Sequence, residues 1–431
     1  MKQKVNSYKD AVNYLYGLQK YGIKFGLSKT SDIMKSLGDP HKGQKYIHVA
    51  GTNGKGSVSA MLESILMKAG MKVGFYSSPH LVRFTERFRI NGKEISRART
   101  TELVNELRGA VNPSQPPTFF EAATAMALSC FAVEKTDISI MEAGMGGRLD
   151  ATNIIRPLVS VITNISLEHQ DFLGNRLIDI AGEKAGIIKK GADLVTGATQ
   201  PSVIALFKED CEKKKAGFHR LGKDFRYRSN TSGLSYFGMK RNLKGLRPGL
   251  AGRYQGRNAA LALAVTEILD TKGFKISERN ISDGLRDASW PGRLQTMSRD
   301  PIIVVDGAHN PGGARELAAS ISGFSYNRLI LVVGIMADKD IGNIIRLLSP
   351  VADYIICTRP EYYRAADPGR IMREVSAAGK HGEEVHTLSG AIEKARGMAS
   401  SRDLILITGS LFTVGEALSL LDPVKYRPDG I

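Results

Sequence analysis

Short, continuously apolar runs rich in β-branched residues recur along the first half of the chain, at 46–50, 72–77, 138–142, 158–164 and 193–197. Runs of this length without polar alternation predict strands buried on both faces. Between them the apolar positions switch to helical spacing, as over 58–69, which Gly70 closes. Strand–helix–strand alternation predicts a mostly parallel sheet covered by helices. A second series, at 302–306, 328–333, 354–357 and 404–408, repeats the pattern. Segment 287–300 separates the two, and its Trp290-Pro291-Gly292-Arg293 breaks any helix that precedes it. The expected fold class is therefore α/β in two domains, 1–295 and 296–431, with the boundary near 295. The stretch 205–250 has weak periodicity and predicts an irregular or antiparallel edge region.

Composition narrows the class. The 431 residues suffice for two or three domains, and 42% apolar content supplies full cores. Cys130, Cys211 and Cys357 lie too far apart for a disulfide framework or a zinc site. The charged opening stretch 1–10 has no apolar run behind it, so no signal peptide is expected. The longest apolar-rich stretches, 122–133 and 329–337, are too short to span a bilayer. A reduced, cytoplasmic protein without a membrane partner is expected. The net charge is +17, which suits nucleic acid, a polyanionic small substrate or a solubility surface. The stretch 205–250 alone carries 12 Lys/Arg against 4 Asp/Glu.

Chemistry enters at Gly51-Thr52-Asn53-Gly54-Lys55-Gly56-Ser57, which follows a predicted strand and opens a predicted helix. In that context glycines let backbone N–H groups face phosphate oxygens, and the helix N-terminus adds positive potential. Lys55 would reach the β- and γ-phosphates and Ser57 would face a magnesium ion. The fit to the general eight-residue pattern is imperfect. Val49 stands at the first glycine position, and Gly56 separates Lys55 from Ser57. A plain glycine-rich turn does not account for the lysine and serine in this context.

Glu142 ends the third predicted strand, where a carboxylate across from a phosphate loop suits a magnesium ion. It opens Glu142-Ala143-Gly144-Met145-Gly146-Gly147-Arg148-Leu149-Asp150-Ala151-Thr152-Asn153. Ser77-Ser78-Pro79-His80-Leu81 follows the second strand, with Arg83 and Arg87 behind it. These arginines suit an anionic substrate tail or, alternatively, surface pairing with Glu86. Asp306-Gly307-Ala308-His309-Asn310-Pro311 follows the first strand of the second series.

Together these runs resemble the folylpolyglutamate synthase/dihydrofolate synthase family of the Mur ligase superfamily. The matched motifs extend from about residue 46 to about 412, in order and across both expected domains. The resemblance implies an N-terminal phosphate-loop ATPase domain and a smaller, Rossmann-like C-terminal domain. It implies that Gly51, Thr52, Asn53, Gly54, Lys55, Gly56, Ser57, Asn258, Arg293 and Asp306 meet ATP. Ser78, Glu142, His169 and Lys184 would hold Mg2+, with Lys184 matching the family's carbamylated lysine. Pro79, His80, Arg83, Phe120, Glu121, Asp150 and Ala151 would lie on the folate side. His309 and Ser410 would lie near the incoming L-glutamate, and Lys55, Lys184 and His309 would serve catalysis. Without the resemblance, Asn258 and Asp150 read as caps, and Phe120 as core.

The activity implied is ATP-dependent ligation of L-glutamate to the γ-carboxylate of reduced folates through an acyl phosphate. Formation of dihydrofolate from dihydropteroate stays open as a second activity. The cofactors implied are ATP and Mg2+, and the resemblance suggests a monomer. Two other readings stand beside it. One is another ligase of the superfamily, such as a cell-wall peptide ligase. The other is a basic nucleic-acid-binding NTPase, against which stands the lack of any nucleic-acid motif.

Overall fold

The computed structural model describes residues 4–230 and 232–430. Residues 1–3, part of the charged opening stretch, lie outside the described residues, as does Thr231 within 205–250.

The predicted buried strands form where the apolar runs stand. The first sheet contains β1 (Tyr46–Ala50), β2 (Val73–Tyr76), β3 (Phe88–Ile90), β4 (Lys93–Glu94), β5 (Ile138–Glu142), β6 (Val159–Ile162), β7 (Asp193–Thr196) and β8 (Gly217–Arg220). Its order is β4-β3-β2-β5-β1-β6-β7-β8. The six strands from β2 to β8 form five parallel pairs, and β3 and β4 add an antiparallel edge. β1 is central, with Val49 opposite Glu142 on one side and opposite Val161 on the other. Because these strands are parallel, their carboxyl ends open along one crevice, where ligands of α/β sheets bind.

Helix Lys55–Lys68 is buried nearly all round. It lies against the sheet on one side and beneath helices Gln255–Thr271 and Glu278–Asp287 on the other. At one crossing the backbones meet: a Cβ on Gly284 would stand 2.5 Å from Ile65 Cα. A helix covered this way needs apolar residues on every face, which explains the weak amphipathic pattern over 58–69.

A second sheet holds β12 (Gln295–Arg299), β13 (Ile302–Asp306), β14 (Leu329–Val333), β15 (Tyr354–Cys357), β16 (Gly382–Glu384) and β17 (Leu404–Thr408), in the order β12-β13-β17-β14-β15-β16. All neighbours are parallel except the β12/β13 pair. The molecule is thus mixed α/β with two parallel-rich sheets, each with its own core.

The stretch 205–250 departs from expectation in its first part. Residues 201–214 form a helix, with Pro201 in the first turn and Val203, Phe207 and Cys211 buried at a spacing of four. Lys213–Glu209 and Lys214–Asp210 pairs line its exposed side. The density of charge hid that spacing. β8 then joins the first sheet in parallel. The antiparallel part follows as a separate sheet, β9 (Arg226–Asn230), β10 (Gly233–Phe237) and β11 (Asn242–Leu246), which turns Leu234, Tyr236, Leu243 and Leu246 into the core of the first body. The three cysteines are free and buried, and no described helix is long and apolar enough to cross a membrane.

Candidate functional site

The glycine-rich loop leaves the carboxyl end of β1 and turns back into helix Lys55–Lys68. Gly51 sits at φ 141° and Gly54, the N-cap, at φ 88°. A Cβ on Gly51 would lie 1.9 Å from Thr163 Oγ1, and one on Gly54 would lie 2.6 Å from Asn258 Oδ1. Both positions therefore require glycine for space as well as for backbone conformation. Asn164 secures the loop, its Oδ1 accepting from the Asn53 N–H at 2.9 Å and its carbonyl from the Thr52 N–H at 3.0 Å. Lys55 folds over the loop and donates to the Gly51 and Thr52 carbonyls at 3.2 and 3.3 Å.

One cavity gathers residues from both sheets. It is bounded by the loop residues 52–57, by Ser78 and Glu142 from neighbouring strand ends, by Arg293 from the segment between the bodies, and by Asp306 and His309 from the second body. Glu168, His169, Tyr254 and Asn258 also reach it. A second cavity shares Gly56, Ser78, Glu142 and Arg293 with the first and continues past Pro79, His80 and Arg83 towards Trp290 and Tyr426. The two form a continuous path from the glycine-rich loop to the Ser-Pro-His-Leu loop.

The electrostatics of this path are strongly perturbed. Burial pushes the Glu142 carboxyl up to about 7, against the pull of Lys55, Arg293 and the Ser78 N–H. Burial and then Lys55 push the Lys184 ammonium down to about 7; it lies beneath the loop and donates to the Gly51 carbonyl at 3.1 Å. Burial lowers the His169 imidazole to about 4. Burial of Glu168 works to raise its carboxyl, but the His309 hydrogen bond and neighbouring cations hold it well below the carboxylate range. Such pairs of oppositely shifted groups in a cleft mark a site of chemistry.

Glu168 is the residue that the sequence reading passed over. Its Oε1 meets His309 Nε2 and Asn310 Nδ2, each at 3.1 Å. Asn310 in turn exchanges two hydrogen bonds with Asn53 of the loop, at 2.9 and 3.2 Å. The two bodies are joined at the site by this network. Asp306 accepts from the Leu294 and Ala308 N–H groups at 2.8 and 2.9 Å and from Tyr254 Oη at 3.1 Å. Its buried carboxylate thus shapes the turn that carries His309.

Other expected site residues have structural partners. Asp150 accepts from the Met145 and Thr152 N–H groups and organises the loop after Glu142. Ala151 is buried beside it. Phe120 rests its ring against Gly144, where a Cβ would lie 2.5 Å from it. Glu121 turns away into a capping box with Thr118, and Ser410 caps helix Leu411–Leu421 through Thr413; neither borders the two cavities. Arg83 pairs with Glu94 at 2.6 Å. Arg87 is buried, donates to His80 Nδ1 at 2.8 Å and packs on the Phe119 ring. The Glu86 pairing first weighed for both arginines is thus secondary for Arg83, whose main partner is Glu94 with Glu86 at 3.8 Å, and Arg87 is buried instead of on the surface.

A magnesium site can be tested against the donors present. No trio of His, Cys, Asp and Glu among the described residues is grouped to hold a metal. Ser78, Glu142 and His169 nevertheless border one cavity, and Glu142 is a buried carboxylate that a cation would stabilise. Few protein ligands beside a phosphate loop suit Mg2+, which keeps waters and takes phosphate oxygens. The residues fit.

Comparison with known proteins agrees with this arrangement. The Mur ligase middle domain matches residues 49–266, and the Mur ligase glutamate ligase domain matches 292–411. The chain is 36% identical to the dihydrofolate synthase/folylpolyglutamate synthase of Bacillus subtilis, over 95% of this chain and 98% of that protein. It spans about half the length of some curated relatives, which carry a dihydropteroate synthase name as well. The solved structure of Escherichia coli FolC in complex with DHPP and ADP superposes with a TM-score of 0.90 at 34% identity, covering 99% of this chain and 100% of that one. The bifunctional enzyme of Yersinia pestis complexed with AMPPNP and Mn ion gives 0.88 at 33%, covering 98% and 99%.

Proposed function

The chain belongs to the folylpolyglutamate synthase/dihydrofolate synthase family of Mur ligases, and we propose that it joins L-glutamate to the γ-carboxylate of reduced folates at the expense of ATP. Dihydropteroate is a second acceptor, in line with the bifunctional names of its relatives. One observation carries the reading. The phosphate loop of the first body and the Asp306–Asn310 turn of the second border a single cavity, which continues along the Ser-Pro-His-Leu loop.

In this reading 1–295 is the ATP-binding domain, of phosphate-loop type, and 296–431 is a Rossmann-like glutamate-ligase domain, in a cytoplasmic protein. ATP lies along residues 51–57, with Asn258, Arg293 and Asp306 at its edges. The folate carboxylate attacks the γ-phosphate and ADP leaves, giving an acyl phosphate; the glutamate amine then attacks the acyl carbon, phosphate leaves and the nitrogen gives up a proton to yield the amide. A carboxylate attacks an anionic phosphate only where charge is neutralised. Lys55 and Arg293 supply fixed positive charge there, and Mg2+, when bound, adds to it. Ser78, Glu142 and His169 would hold the ion. Lys184, with its ammonium pushed down to about 7, is partly neutral at neutral pH, as carbamylation requires. Glu168 and His309 stand where the glutamate amine would arrive, and can orient it. Closure at Trp290-Pro291-Gly292 would shield the water-sensitive acyl phosphate.

The test is direct. The purified chain is given ATP, Mg2+ and labelled glutamate with either dihydropteroate or tetrahydrofolate. Incorporation into both is expected; no incorporation into either overturns the assignment.

A further inference from the structure

The segment 422–430 leaves the second body and crosses onto the first. Tyr426 is anchored at its start: the side chain is buried in the second sheet's core, and its Oη accepts from Gln295 Nε2 at 2.9 Å. Three residues later, Asp429 is anchored on the other body. Its carboxylate, only 7% exposed, accepts from Tyr8 Oη and the Phe84 N–H at 2.9 Å each and faces Arg97 at 3.6 Å. Arg83 adds a third tie by donating to the Lys425 and Arg427 carbonyls at 3.2 and 3.5 Å. A buried carboxylate with these donors is costly to release, so the segment is a strap between the bodies.

The strap also forms a wall of the second cavity, through Lys425 and Tyr426. The charges around that cavity are largely spent. Arg83 pairs with Glu94, and Arg89 pairs with Glu63 at 2.5 Å. Among the described residues, Arg293 and Lys425 are the bordering cations with no carboxylate within ion-pair distance. Arg293 also borders the phosphate-loop cavity. Lys425 is exposed and borders the second cavity but not the phosphate-loop cavity, with its Nζ 5.1 Å from the Tyr426 ring.

Substrate chemistry gives this cation a role, granted the folate-ligase reading above. The reacting carboxylate must reach the γ-phosphate at the loop. In a pteroyl-oligoglutamate, the α-carboxylates of the earlier glutamates then trail back through the second cavity. Dihydropteroate has no such carboxylates. We propose that Lys425, held in place by the Asp429 clasp, reads the α-carboxylates of the glutamyl tail and so sets the preference for oligoglutamate over dihydropteroate acceptors.

The experiment compares the full chain with its Lys425→Ala, Lys425→Arg and Asp429→Asn variants, using dihydropteroate and tetrahydrofolate mono- and triglutamate with ATP and labelled glutamate. In Lys425→Ala, KM for the triglutamate should rise at least fivefold more than KM for dihydropteroate. Lys425→Arg should restore the ratio, and Asp429→Asn should lose it as Lys425→Ala does, with thermal melting confirming that each variant is folded. An equal change for all three acceptors, or none, overturns the proposal. A wild-type chain that ligates no acceptor overturns instead the function on which it rests.

Discussion

His48 stands on the central strand β1 beneath the site, buried and uncharged. Burial, and then the nearby Lys189, push its imidazole down to about 3. Its Nε2 meets Thr152 Oγ1 at 2.8 Å, and Thr152 Oγ1 donates to Asp150 at 2.5 Å. Nε2 therefore carries the hydrogen, and the relay ties the phosphate-loop strand to the loop after Glu142. The unfolded imidazole titrates near 6.5. Below that pH the unfolded chain takes up a proton that the folded chain refuses, so stability falls as pH drops from 6.5 towards 3. At pH 5 the loss from this residue is about 2 kcal/mol. The substitution His48→Gln should reduce the drop in urea-unfolding free energy between pH 7 and pH 5 by that amount. His80, also buried with its pKa lowered, is common to both proteins and cancels; an unchanged drop refutes the assignment. Residues of this kind are not legible in sequence, because a histidine in an apolar run carries no mark of its partner. Gly51 and Gly54 were legible because a tight strand-to-helix loop demands glycine there, and both sit at positive φ with no room for a Cβ. Glu121 and Ser410 show how a motif position can also have a local structural use. They sit within matching motifs, yet Thr118-x-x-Glu121 is also a capping-box signature, and that is how the structure uses it.

The strands were the most readable elements, since a parallel sheet covered on both faces leaves no choice but unbroken apolar runs. β1, β5, β13, β15 and β17 occupy the residues that the pattern marks. The helix Pro201–Lys214 was less readable, although Val203, Phe207 and Cys211 carry its period. That the glycine-rich loop and the Asp306–His309 turn share a site was implied only by the resemblance, and the side-chain contacts that join them were not readable, because they depend on how the two sheets dock. Helix Pro311–Ile321 is the clearest case. Asn310 caps it by accepting from the Gly313 N–H at 2.7 Å, and with its amide donates to Asn53 and Glu168. One side chain thus ends a helix and latches the phosphate loop. Asn310→Ser should separate the two tasks. Serine caps as well as asparagine, so folding stability should stay within about 1 kcal/mol of the parent. The latch is lost, and the ligation rate should fall at least tenfold. Asn310→Ala should lose both. A fully active serine variant, with its melting temperature checked, would show that the latch does not matter.

At the scale of the whole molecule the question is what the charge of +17 does. The site accounts for part of it: Lys55 and Arg293 border the cleft, and ATP, glutamate and folate tails are all anionic. The basic stretch 205–250 points elsewhere. Its antiparallel sheet turns apolar side chains into the core and leaves Arg226, Arg228 and Lys244 exposed. No described residue of the stretch borders either of the two joined cavities. Exposed charges separated by more than a Debye length of about 8 Å are largely screened at physiological ionic strength. A steering role would therefore show only at low salt, as an association rate that converges with the parent's as salt is raised. The triple reversal Arg226→Glu, Arg228→Glu, Lys244→Glu should keep kcat/KM for tetrahydrofolate within twofold at 0.15 M salt, and it should reduce solubility or shift non-specific anion binding instead. A severalfold loss at 0.02 M salt that vanishes at 0.3 M would show that this remote sheet steers substrate. A loss that persists at every salt concentration would mean that the sheet supports helix Gln255–Thr271, whose first turn carries Asn258 to the cavity beside the glycine-rich loop.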